Sequence, residues 1–246
     1  MIAKNSTRLS PPPIRRTWAL LIAAPLLFLA AIIVVSLYYG FVTRGDGQAI
    51  AELTPKAVPA MLVTVQLALV ALLAITLRSE RLTWSAIGWR LEQSQKLWQE
   101  VLIGLVPGAV LAVLYFTVLS PSMTWLQRNV GDYVPAGELT GALGAALVPL
   151  FLANVLLAPF VEESLYRGYA LDRLQERYGL ALAVIISCVF FGLLHWAGGF
   201  WYILLTGFVA GGLFAGLRVW RRTLIAPFAA HLVLNILEFI WIWQAR

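Results

Sequence analysis

The chain has 246 residues, of which 61% are hydrophobic and 12% charged, with a mean hydropathy of +0.82; soluble domains run at about 45–50% and about 25%. That excludes an ordinary soluble enzyme. The formal charge of +6 comes from basic residues scattered between apolar segments, with no basic patch on a soluble domain, which excludes a nucleic-acid partner.

Seven segments, near 17–40, 58–77, 101–119, 143–171, 180–197, 201–217 and 224–243, approach the ~20 apolar residues that cross hydrocarbon as a helix. The expected fold is all-α, a polytopic membrane helical bundle of about seven transmembrane helices. The first span follows Lys4, Arg8, Arg15 and Arg16 as a signal peptide would. Its run "TWALLIAAPLLFLAAIIVVSLYYG" is too long for a cleavable apolar region and reads as a retained anchor. The polar stretches 44–57, 78–96 and 120–138 separate the spans. In 78–96, Trp84, Ile87, Trp89 and Leu91 mix with Arg90, Glu92 and Lys96, which suits a helix or turn lying in the interface or an interfacial tryptophan belt. Span six carries Gly207, Gly211, Gly212 and Gly216, small-xxx-small pairs that let helix backbones approach. Cys188 is the only cysteine, so it cannot form an internal disulfide, and it reads as a small buried hydrophobe.

With the N-terminus in the cytoplasm, fourteen of the eighteen basic residues fall on that side, in the tail and in 78–96, 167–177 and 218–222; Arg44, Lys56, Arg128 and Arg246 fall on the other. An alanine-, leucine- and tryptophan-rich chain of this size points to a bacterial plasma membrane. Composition divides the chain into 1–138, three anchoring spans with an interfacial segment, and 139–246, four spans that carry the intramembrane polar residues.

Those residues are Glu162, Glu163, Arg167, His195, His231, Asn235 and Glu238. Charge inside a membrane is costly and points to function. Glu162 and Glu163 lie about 100° apart on a helix, so they are not expected to share a partner, while Glu163 and Arg167 are i,i+4 neighbours. We expect Glu163 and Arg167 to form a supporting charge pair and Glu162 to face the histidines. From helix rise, Glu162 lies roughly 15 Å beyond Asp172, His195 roughly 24 Å from Gly179 and His231 roughly 12 Å past Thr223, depths that agree to about two turns. A glutamate beside imidazoles could activate water as a general base, and His231 with Asn235, on one face, could present two donors to an oxyanion. Glu238 extends that face as a packing or supporting polar residue. Glutamate with two histidines is also an acceptable zinc set, drawn here from three spans without the compact H-E-x-x-H signature.

Three motifs in order, "EESLYRG" (Glu162, Glu163, Arg167), "FGLLH" (Phe191, His195) and "HLVLN" (His231, Asn235), resemble the EExxxR, FxxxH and HxxxN motifs of the CPBP intramembrane proteases, the type II CAAX prenyl protease or Abi family, over roughly residues 140–243. The resemblance implies an intramembrane endopeptidase cutting near the cytoplasmic half of the bilayer. In it Glu162 and His195 activate water, and His231 and Asn235 support the oxyanion. It implies either no cofactor, as a glutamate protease, or zinc on Glu162, His195 and His231; the dispersed ligands favour the first. Partners would be membrane lipid and a protein or peptide substrate with a membrane-associated tail. The first three spans match nothing in particular and would set substrate access. A non-proteolytic scaffold of the same fold and a proton-coupled transporter are the alternative functions.

Overall fold

The structure, a computed structural model, describes residues 14–132 and 147–244. Lys4, Arg8, Arg246, residues 133–138 of the third polar stretch, the 138/139 division and the start of the fourth expected span lie outside them. The described residues are helical and turn structure without a strand. Seven long helices appear: α1 Ile14–Val42, α2 Gly47–Ser79, α3 Leu97–Asn129, α4 Val148–Tyr178, α5 Leu180–Leu194, α6 Phe200–Arg221 and α7 Ile225–Gln244. Five are long and apolar enough to cross a membrane; α5 and α7 are shorter apolar helices. The chain is thus a polytopic membrane bundle.

Two polar stretches are more helical than their composition suggests. Asp46 caps α2, accepting from the Gln48 and Ala49 amides at 3.0 and 3.3 Å, so the helix starts inside 44–57. In the same way α3 runs through 120–129 beyond its apolar core, past a π-helical turn at Tyr115–Leu119.

Each outer helix buries one stripe. On α2 it is Val58, Met61, Val65, Leu69, Leu73 and Leu77, at three- and four-residue spacing, with Gln66 alongside. On α1 it is Thr17, Leu20, Leu21 and Ala24, while Leu37 and Phe41 point outward, as lipid requires. The centre is α4, buried almost continuously from Val161 to Leu171 and π-helical over Glu163–Ala170.

One end of the bundle gathers the basic segments, as the charge distribution led us to expect. Glu80 accepts from Tyr169 and Arg173, at 2.9 and 2.6 Å, with Arg16 at 3.6 Å. Arg218 donates to Asp172 at 2.7 Å and to the Arg167 carbonyl at 3.1 Å, and Arg221 donates to the buried Glu100. Residues 80–96 take the turn form of the two that their composition suited. They fold as a 3₁₀ turn, Ser85–Ile87, tucked under the bundle: Ile87 is buried, and the Gly88 carbonyl accepts the Leu224 amide at 2.8 Å. Trp84 and Trp89 stack on Phe160 of α4, and Trp89 donates to Ser164 at 2.9 Å. At the other end the Asp132 carboxylate accepts the Phe200 amide at 2.6 Å, joining α3 to α6.

Close helix contacts fall partly where expected. Gly207 and Gly211 face neighbours, whereas Gly212 and Gly216 face open space. The tightest seam was not anticipated. It is a Gly-xxx-Gly on α3, where a Cβ on Gly104 or Gly108 would lie 2.2 or 2.4 Å from the Ala226 or Ala230 carbonyl of α7. Gly108→Val should therefore force α3 off α7 and cost about 1–3 kcal/mol. Thermal unfolding in detergent checks this, and an unchanged midpoint would refute the seam.

Candidate active site

Glu162, His195 and His231 meet at the middle of the bundle. The apparent spread in depth disappears because α4 continues to Tyr178, which puts Glu162 about 24 Å from that end, level with His195. His231 joins them because α7 begins on the Gly88 turn, which packs at the level of Gly168, well above Tyr178.

The imidazoles are oriented by what their Nδ1 atoms touch. His195 Nδ1 lies 2.8 Å from the Phe191 carbonyl, which only accepts, so Nδ1 carries the proton. His231 Nδ1 donates to Glu163 Oε1 at 3.0 Å. In the neutral rings both Nε2 atoms therefore present lone pairs. They face Glu162 Oε2 at 3.9 and 4.0 Å, and that oxygen has no hydrogen-bond partner. The other oxygen, Oε1, accepts from Gln66 of α2 at 3.0 Å. Of the seven buried side-chain polar atoms without a partner among the described residues, five belong to Gln66, Glu162, Glu163, Tyr166 and Arg167. Such a concentration marks a place built for solvent or a ligand.

Arg167 supports the floor of the site. Fully buried, it donates to Glu163 at 3.0 Å and to the Gly211 carbonyl at 3.1 Å, with its guanidinium 4.1 Å above the Phe191 ring. Phe191 thus both carries this cation and fixes the His195 tautomer. Phe214 of α6 stacks on His231, ring centroids 4.7 Å apart. The expected Glu163–Arg167 pair is present, but the two glutamates do share a partner. An imidazole has nitrogens on opposite edges, so His231 reaches Glu163 with one and faces Glu162 with the other.

Asn235 spends one of its two amide N–H groups on the backbone. Its Nδ2 donates to the Asn154 carbonyl at 2.8 Å, bracing the π-helical segment Leu152–Leu157 of α4, while the His231 Nδ1 donor is already taken by Glu163. Gln66 and Phe214 escaped the sequence reading. Gln66 was detectable as a lone amide inside the apolar run "LVTVQLALV"; Phe214, one of many aromatics, carried no signal.

The donor types suit zinc. Ligand atoms on a tetrahedral zinc, with bonds of roughly 2.0–2.2 Å, stand about 3.4 Å apart. Among the described residues no three His, Cys, Asp or Glu side chains are grouped to hold a metal ion. Two hydrogen bonds of about 2.8 Å meeting tetrahedrally at one water span about 4.6 Å, so the 3.9 and 4.0 Å separations between Glu162 and the imidazoles fall between the two spans. The site opens at one edge: the His195 side chain is 24% exposed, against 5% for Glu162 and 4% for His231.

Residues 144–237 match the family model described as Rce1-like, the type II CAAX prenyl endopeptidases, so that segment is similar to this family of membrane proteases. The resemblance drawn from the three motifs is borne out, since the matched segment contains all of them. No curated protein and no solved structure matches the chain.

Proposed function

We propose that the chain is an intramembrane endopeptidase of the glutamate type, in which Glu162 and His195 activate a water for attack on a peptide carbonyl. The observation that carries this is the unpartnered Glu162 Oε2 facing two Nε2 lone pairs at 3.9 and 4.0 Å. A water donating to Glu162 and His195 is polarised toward hydroxide; its proton passes to Glu162 and then to the leaving amine nitrogen. Glu163 holds the His231 tautomer and would stabilise its imidazolium. His231 Nε2, after taking up a proton from solvent at the open edge before the attack, becomes a donor for the tetrahedral oxyanion, and the second Asn235 N–H can add to it.

The substrate is a protein or peptide whose tail reaches the bilayer, and it enters beside the exposed edge of His195. The end of the bundle that gathers the basic residues would face the cytoplasm, and Glu162 then lies about 15 Å above Asp172, near the middle of the hydrocarbon core. The test is a comparison of peptide termini in membranes of cells carrying the wild-type chain or Glu162→Ala. Termini that disappear with the variant identify substrates; identical sets would reject the protease reading.

This reading also predicts metal independence. Cleavage in proteoliposomes should stay within about twofold of its starting rate under a strong zinc chelator. A chelator-induced loss that added zinc restores would put a metal ion in place of the water.

A further inference from the structure

Gln66 lies on α2, outside the matched segment, yet its side chain reaches the reacting carboxyl. It accompanies a buried stripe of Val58, Met61, Val65, Leu69, Leu73 and Leu77. A leucine or methionine would fill its place without taking an amide out of water, which is costly unless both ends of the amide are bonded. Here only one end is. Nε2 donates to Glu162 Oε1 at 3.0 Å, while Gln66 Oε1 has no partner among the described residues, and the residue is 4% exposed.

The orientation of the amide follows from its partner. A carboxylate only accepts hydrogen bonds, so the amide nitrogen turns to Glu162 and the carbonyl oxygen is the end left over. The nitrogen and oxygen of a carboxamide stand about 2.3 Å apart, which puts Gln66 Oε1 no farther than about 5.3 Å from Glu162 Oε1. A free acceptor is therefore held beside the general base.

A peptide nitrogen undergoing cleavage has a use for both groups. As the C–N bond of the tetrahedral intermediate breaks, the nitrogen lone pair takes the proton that Glu162 received from water, and the peptide departs as an amine that keeps its original N–H. The lone pair must face Glu162, so the N–H points away from it and, in a buried site, requires an acceptor of its own. Two hydrogen bonds of about 2.9 Å meeting tetrahedrally at that nitrogen span about 4.7 Å, within the reach of the Gln66 amide. We propose that Gln66 is a further catalytic residue: its Nε2 holds Glu162, and its Oε1 accepts the N–H of the scissile bond and so turns the nitrogen lone pair toward the acid. α2 then supplies part of the reacting centre, and a bond that precedes proline, which has no N–H, is refused. This inference rests on the protease reading.

The test uses the full-length protein in proteoliposomes and a membrane-anchored peptide that the wild type cuts, made with either alanine or N-methylalanine immediately after the cut. Both forms are amides and both depend on Glu162, so a disturbance of Glu162 alone slows them alike and leaves their ratio unchanged. The wild type should cut the alanine form at least about 100-fold faster. Gln66→Ala, which removes the acceptor and leaves room for the methyl group, should lower kcat/KM for the alanine form about 10- to 100-fold and shrink the ratio below about fivefold. Gln66→Asn, which draws the amide back by one methylene, should shift the ratio in the same direction and decides the matter if Gln66→Ala does not fold. An unchanged ratio in a folded variant that still cleaves overturns the acceptor role, even where both rates fall, and so does a wild type that cuts the two forms equally. Absence of any Glu162-dependent cleavage of the alanine form overturns the protease reading, and the role of Gln66 with it.

Discussion

Glu162→Gln is expected to lower the rate of peptide cleavage by about 10²–10⁴-fold, the range a positioned general base supplies. The amide has the shape of the carboxyl and can still accept from Gln66, whose Nε2 lies 3.0 Å from Oε1. What it loses is an oxygen able to take a proton from water at the position facing His195 and His231. Membrane insertion and thermal stability should be close to wild type, because no salt bridge to a lysine or arginine is broken. Initial rates in proteoliposomes, with unfolding followed in parallel, give the answer. A stable Glu162→Gln protein that keeps more than about a tenth of the wild-type rate sinks the assigned role.

The largest effect on stability is expected at Arg167. Its guanidinium is fully buried, bonded to Glu163 and the Gly211 carbonyl, and stacked over Phe191. Arg167→Met leaves the Glu163 carboxylate with His231 as its only partner, and breaking one side of a buried pair costs about 3–5 kcal/mol. Folded yield and the thermal midpoint in detergent should fall together. Lysine should rescue little, because a single ammonium cannot serve the carboxylate, the carbonyl and the ring at once. The double variant Glu163→Gln/Arg167→Met removes both charges and should recover part of the loss, since replacing a whole buried pair is far cheaper than orphaning one member. A double variant no more stable than Arg167→Met would show that packing around the side chain, not the charge pair, holds α4 in place.

Most of the architecture was legible in the amino-acid sequence. In lipid every backbone polar group must be satisfied within its own segment, so a run of apolar residues near the bilayer thickness has few alternatives to a helix. For the same reason charged residues inside such runs stand out, and Glu162, Glu163, Arg167, His195 and His231 could be picked without coordinates. Their common depth could not. It depends on where α4 ends, at Tyr178 and not near Asp172, and on the tucked Gly88 turn that raises the start of α7. Tertiary structure alone decided that His231 bridges both glutamates, that Asn235 braces the backbone of α4, and that Gln66 reaches Glu162 from a helix with no motif. Local sequence specifies which side chains a helix can offer at each face; the partner that each one meets is set by packing between segments far apart in the chain, 96 residues for Gln66 and Glu162.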